Sequence, residues 1–407
     1  MPKKTDKKST DKYLLISNGY SIHYDETDCF ENDIKLDEQK MGTRKSKDVA
    51  EELKKKFYDG FLKKHYENLI ILTGAGTSLD NGTDKNKRGK TKTQLWDECQ
   101  TEIDTFESKI SGFKNKSFYT EKDIEECLSY ILLYEKLNGT IQNDKKDNLI
   151  EILEKKIASC CNLELQNAAP HKNFISKIIA RKPNDSRVKL FTTNYDTLFE
   201  QSANNAGIVL IDGFSFSQPR QFSGKWFDLD IVNRERTRLK EEESFISEVL
   251  HLYKLHGSLD WVKHGEKIIQ QTNHENNPLI IYPANEKYES SYNQPYFEMM
   301  SRFQQSLRQP NTLLIVVGFS FQDKHIKNVI FEAVEQNPSF QLLIVNFNNN
   351  QSIDTIGTLK DFFDSVENKK IKRRVSIVFD SFSDFTKNYP ENEVYRKNEE
   401  VVNEQSF

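Results

Sequence analysis

The run NLIILTGAG, residues 68–76, constrains the architecture more than any other stretch of the chain. Its apolar residues follow one another without a polar interruption, and glycines end the run at once. A strand with one face in water alternates apolar and polar residues. An unbroken apolar run instead fits a strand buried on both faces, and such strands belong to parallel sheets. The pattern returns in VKLFTTN (188–194), IVLIDG (208–213), HLYKLHG (251–257), LLIVVGFS (313–320), LLIVNF (342–347) and VSIVFDS (376–382). Helical spacings fit between several of these, at 296–308, 324–336 and 355–366. The alternation predicts an α/β fold: a Rossmann-like, mostly parallel sheet with helices on both faces.

The rest of the chain is arranged around that pattern. Residues 1–47 are expected to form an N-terminal arm, partly flexible and basic at its start, with a short strand at YLLIS. Val49, Leu53, Phe57 and Phe61 recur every four residues and predict a helix from 48 to about 65. Residues 80–118 are polar and rich in Lys and Thr, which predicts a loop or irregular insertion. Helical patterns follow near 121–137, 147–161 and 171–180, with Thr120 and Asp123 spaced like a capping box at the first. The expected organisation is one domain over 48–387, with a helical subdomain inserted at about 80–185 and a charged tail over 388–407. The basic run KKIKRR (369–374) is expected to be a solvated lead-in to the last strand.

Composition excludes several classes. The 58 Lys and Arg against 62 Asp and Glu give a net charge of -4, so no overall positive field draws in nucleic acid. The apolar runs are too short to span a bilayer, and MPKKTDKKST has no apolar stretch behind its charges. A cytoplasmic location is expected. Cys29, Cys99, Cys127, Cys160 and Cys161 contain no CxxC spacing, so reduced thiols and no structural metal are expected.

Ligands of open parallel sheets bind beyond the carboxyl ends of the strands. The unusual residues of this chain gather at such ends. Gly74, Ala75, Gly76, Thr77 and Ser78 follow one strand, and Asn194 and Asp196 follow another. His256, Gly257 and Ser258, then Gly318 and Ser320, then Asn346 follow three more. Glycine lets a backbone turn tightly and approach a pyrophosphate, with helix-start N–H groups facing it; equally, these glycines only shape a turn. GAGTS lacks the third glycine of GxGxxG, which argues against an ordinary dehydrogenase. His256 reads either as a proton acceptor near neutral pH or as a structural histidine bonded to backbone. Asn194 suits a ribose hydroxyl or a water, or the capping of a turn. Asp196 suits a hydroxyl partner, a support for Asn194, or a helix N-cap, and the cap is the favoured reading.

GAGTS (74–78), TTNYD (192–196), LHGS (255–258), GFS (318–320) and the Asn of IVN (344–346) resemble, in order, the signatures of sirtuins. They are most similar to the SIR2-like domain of bacterial anti-phage defence proteins, over roughly 68–350. The resemblance implies that Gly74 to Ser78 border the dinucleotide phosphates and ribose. It implies that Asn194 and His256 cleave NAD+, with Asp196 beside the nicotinamide end. Gly318, Ser320 and Asn346 would hold the adenosine part, and Trp96 and Asp97 are a weaker match. Two departures stand out. The zinc-binding CxxC pairs of the protein deacetylases are missing, and so is their Asp-Phe-Arg segment, with only Arg88 in that region. No zinc is therefore expected, and acyl-lysine deacetylation is disfavoured.

The implied activity is hydrolysis of the nicotinamide–ribose bond of NAD+ in anti-phage defence, giving nicotinamide and ADP-ribose. The alternatives are a subunit that binds NAD or ADP-ribose without turnover, and an NAD-dependent deacylase or ADP-ribosyltransferase. A nuclease activity in a larger complex is a further rival. The resemblance also implies a homo-oligomer working with a HerA-like hexameric ATPase, with any nucleic-acid contact made indirectly through that partner and no membrane contact.

Overall fold

The computed structural model describes residues 12–17, 20–143, 147–182, 185–233, 245–271, 278–280, 294–347 and 374–392. In chain order its strands are β1 (Lys12–Ser17), β2 (Tyr20–Tyr24), β3 (Cys29–Glu31), β4 (Ile34–Lys35), β5 (Asn68–Thr73), β6 (Lys189–Thr192), β7 (Val209–Ile211), β8 (Val249–Lys254), β9 (Trp261–His264), β10 (Lys267–Gln270), β11 (Thr312–Val317), β12 (Phe340–Val345) and β13 (Val375–Val378). Eleven of them form one sheet in the order β4-β3-β2-β1-β13-β12-β11-β5-β6-β8-β7, and β9 and β10 make a separate hairpin. The seven strands from β13 to β7 are all parallel.

Both faces of that parallel part are covered. Ile70 and Leu72 of β5 pack on one side with Met299 and Phe303 from helix Tyr296–Leu307 and Ile326 and Ile330 from helix Lys324–Gln336. Leu69 and Ile71 pack on the other with Tyr58 of helix Ser46–Leu62, Phe174 of helix His171–Ile179 and Phe385 of helix Phe382–Asn388. Successive side chains alternate between two cores, which is why the sequence shows no polar alternation.

Residues 12–35, inside the segment expected as an arm, supply β1 to β4. This meander extends the sheet antiparallel from β13, and Leu14 and Leu15 are fully buried. Residues 80–118 are not irregular. They hold the helices Lys92–Glu98 and Gln100–Lys109 and the start of Ser117–Glu121. With Ile124–Asn138 and Leu149–Cys161 these helices enclose a third core, around Trp96, Phe106, Phe113, Leu128 and Leu153. Thr91 and Gln94 form a reciprocal capping box at the first of them. At helix Ile124–Asn138 the cap is Asp123 alone, accepting from Glu125 and Glu126, while the Thr120 hydroxyl turns back to Ser117 O. The helix expected at 355–366 lies outside the described residues, as do 369–373 of the basic run and 393–407 of the tail. Among the described residues, no helix is long and apolar enough to cross a membrane.

The register aligns the strand ends. Val378, Val345, Val317, Thr73, Thr192 and Lys254 pair across six adjacent strands as a single row. The next residue along each strand is Phe379, Asn346, Gly318, Gly74, Thr193 or Leu255. Five of the sequence motifs therefore begin at one level. The chain leaves β5 for β6, β7 and β8 on one side, and later fills β11, β12 and β13 on the other. The order reverses beside β5, where a crevice opens at the carboxyl edge of such a sheet.

Candidate active site

Asn194 and His256 each lie two residues beyond the Thr192–Lys254 pair, on neighbouring strands. The two loops are joined by backbone contacts. Leu255 N–H donates to Thr192 O at 2.8 Å and Leu259 N–H to Tyr195 O at 3.1 Å. Gly257 has φ +87, and a Cβ there would stand 2.1 Å from Leu279 O, so only glycine lets the chain turn directly after the histidine.

Asn194 is 8% exposed. Its Nδ2 lies 3.0 Å from Gly74 O, 3.0 Å from Thr77 Oγ1 and 2.8 Å from Ser78 Oγ. The Ser78 hydroxyl in turn donates to Asp196 Oδ2 at 2.5 Å. The other Asp196 oxygen accepts from Leu198 N–H at 3.1 Å, at the start of helix Leu198–Ala206. The N-cap of that helix is Thr197, so Asp196, favoured in the sequence as the cap, instead sits one residue before it, bonding the first helical N–H with one oxygen and a hydroxyl with the other. A polar chain Asn194–Ser78–Asp196 thus joins the ends of β5 and β6.

The glycine turn has a use inside the protein. A Cβ at Gly76 would lie 2.5 Å from Gly318 Cα, and one at Gly74 would lie 2.7 Å from Gly318 O. Gly318 itself has φ +66. The two loops touch backbone to backbone, with Gly76 N–H donating to Gly318 O at 2.9 Å. Thr77 N–H donates to Gly74 O at 3.0 Å. Two N–H groups expected to face a phosphate are thus already bonded, and the helix Ala75–Leu79 is only five residues long. Ala75 is exposed, and Thr77 and Ser78 are buried.

His256 is 8% exposed, and its Nε2 is 3.1 Å from Asp323 Oδ2. It meets a carboxylate, not the backbone group expected of a structural histidine. The other Asp323 oxygen caps helix Lys324–Gln336, accepting from His325 and Ile326 N–H at 2.8 and 3.0 Å. Burial pushes the Asp323 carboxyl up, but the bond to His256, its charge and the Ile326 N–H outweigh this and hold it below the usual range. The sequence reading missed Asp323. Its signal was an acidic residue at a helix start just past GFS, which reads as an ordinary cap. Phe321, between them, is buried with φ +59, a conformation rare for an aromatic residue.

The helical insertion walls this edge. Gly89 N–H donates to Ser78 O at 2.8 Å, and a Cβ on Gly89 would meet Ser78 Cβ at 2.6 Å. Ile280, which bridges to Gly257, packs into the insertion's core. Glu125, paired with Lys92 at 2.6 Å, is pushed up by burial, against the pull of Lys92 and of His256.

The remaining candidates are more dispersed. Ser320 is exposed, and Asn346, at the end of β12, is half-buried and donates its N–H to Val378 O. Trp96 belongs to the insertion's core, and Asp97 pairs with Lys122 on the surface, so neither joins the site. Cys29, Cys99 and Cys127 are buried free thiols, and no group of three potential metal ligands occurs among the described residues.

The arrangement provides a small, polar, largely buried cluster with one carboxylate-oriented histidine. It suits holding a hydroxyl-rich group and moving a proton. A SIR2-like domain is present over residues 188–361, where the model of that family matches. It indicates NAD-using enzyme chemistry in general. The match contains Asn194, Asp196, His256, Gly318, Ser320, Asp323 and Asn346. The glycine turn at 74–78 lies outside it and is tied to it by the Asn194–Ser78–Asp196 chain. No curated protein matches the chain.

Proposed function

We propose that the chain hydrolyses NAD+ at the nicotinamide–ribose bond, releasing nicotinamide and ADP-ribose. The observation that supports this most is the His256–Asp323 pair beside Asn194 at the strand ends of a SIR2-like domain. A site that only binds has no need of a histidine oriented by a carboxylate.

The substrate's nicotinamide is already cationic, so it departs neutral without an acid, and positive charge develops on the ribose. The protein's task is to fix that sugar, stabilise its charge and activate a nucleophile. Asn194 would hold a ribose hydroxyl or the attacking water. His256 would accept the proton released by that water or by a ribose hydroxyl. Asp323 keeps the imidazole oriented, as carboxylates behind catalytic histidines do. Asp196 places negative charge near the developing cation. Thr77, Ser78 and the turn from Gly74 to Gly76 would border the ribose and phosphates, with Gly318, Ser320 and Asn346 toward the adenosine.

Homo-oligomerisation, gating by a HerA-like ATPase and a role in anti-phage defence rest on the motif resemblance alone and are part of the proposal. Incubating NAD+ with the protein and no acceptor tests the chemistry. Equal amounts of nicotinamide and ADP-ribose support hydrolysis. Tight binding without release, with and without such an ATPase, supports the binding subunit instead.

A further inference from the structure

Lys254 is the last residue of β8, two before His256, and it is 2% exposed. Burying an ammonium costs several kcal/mol unless its hydrogen-bonding partners are well placed. Here its Nζ donates to Glu200 Oε1 at 2.8 Å, to Asp196 O at 2.5 Å and to Tyr195 O at 3.3 Å. Three elements meet at one nitrogen: the strand that carries His256, the loop that carries Asn194 and Asp196, and helix Leu198–Ala206.

The contacts on the loop are backbone carbonyls, including that of Asp196 itself. The Asp196 side chain holds Ser78, which accepts from Asn194. A shift of the 195–196 peptides would therefore move the whole polar chain relative to the histidine. The partner Glu200 is half-buried, and desolvation pushes its carboxyl up to about 7 against the pull of Lys254. The ammonium's own proton is held by Glu200, Asp260 and Asp196, which outweigh its desolvation.

We propose that Lys254 is a positioning residue that sets the separation between the Asn194–Asp196 loop and His256. This rests on the reading of Asn194 and His256 as the reacting pair. Misplacement by about 1 Å in a catalytic constellation costs on the order of a hundredfold in rate. The effect belongs on kcat, because the interaction orients reacting groups and does not itself hold substrate.

The test compares wild type, Lys254→Met and the double variant Lys254→Met/Glu200→Gln. The double variant removes the carboxylate that the single one would leave without its cation. Hydrogen exchange of the 193–198 amides and the kinetics of nicotinamide release are measured on each. The double variant is expected to melt close to wild type. Its loop amides should exchange at least about tenfold faster, and kcat should fall at least about tenfold with KM changed less than about threefold. Unchanged loop exchange overturns the proposal, as does wild-type kcat once melting is restored. If wild type releases no nicotinamide even with a HerA-like ATPase added, the hydrolase reading fails by itself. Loop exchange then still decides whether Lys254 holds the loop.

Discussion

Asp323 serves two structures with its two oxygens, one on the His256 ring and one on the first N–H groups of a helix. Replacing it by asparagine separates these roles, because Asn is as good an N-cap as Asp. Asp323→Asn should leave unfolding stability within about 1 kcal/mol and lower the rate of NAD+ cleavage at least about tenfold. Melting and nicotinamide release on the same preparation check this, and equal losses in both would reduce Asp323 to a cap. At this scale the sequence showed the donors and acceptors but not their pairing. His256 and Asn194 stood out because polar residues end buried strands. Asp323 and Lys254 did not, since a helix-start acid and a strand-end lysine look ordinary until 67 residues of chain bring Asp323 to His256 and 54 bring Lys254 to Glu200.

Among elements, the parallel strands were legible because burial on both faces leaves unbroken apolar runs. The β1–β4 meander was mostly not. β4 has only two residues, both exposed, so little apolar pattern marks it. The helices within 80–118 were hidden by their solvent faces, whose lysines and threonines outnumber the few inward residues such as Ile103 and Phe106. The glycines give a sharp contrast. Gly76→Ala puts a Cβ against backbone that cannot move aside and should cost about 1–3 kcal/mol. Gly60→Ala, in helix Ser46–Leu62 with nothing within 4 Å of the new Cβ, should stabilise by about 0.5–1 kcal/mol. Urea unfolding of the two variants beside wild type measures both signs.

Across the molecule, two buried histidines link folding to pH. His171 is fully buried between Phe199 and Phe382, and desolvation lowers its pKa to about 3. In His251 desolvation, followed by the charge of Lys189, lowers it to about 4. The unfolded chain takes up these protons near pH 6.5 and the folded chain does not. Stability from this source is complete above that pH and falls as the pH drops toward the folded values. His171 alone should cost about 2 kcal/mol at pH 5. Urea midpoints should therefore fall between pH 7 and pH 5, less steeply in His171→Leu. The site lies at the opposite concern: it depends on the sheet, the insertion and the two strand-end loops all keeping their places around β5.

The central claim is that Asn194 and His256 together cleave NAD+, and nicotinamide release measures it most directly. Wild type, Asn194→Ala and His256→Ala would be assayed side by side, each shown to be folded by its melting transition, with a HerA-like ATPase added if the isolated wild type is silent. Wild type should release nicotinamide, and each variant should lose at least about a hundredfold in rate. Wild-type rates in either folded variant would contradict the claim, and so would intact NAD+ after incubation with wild type and its partner.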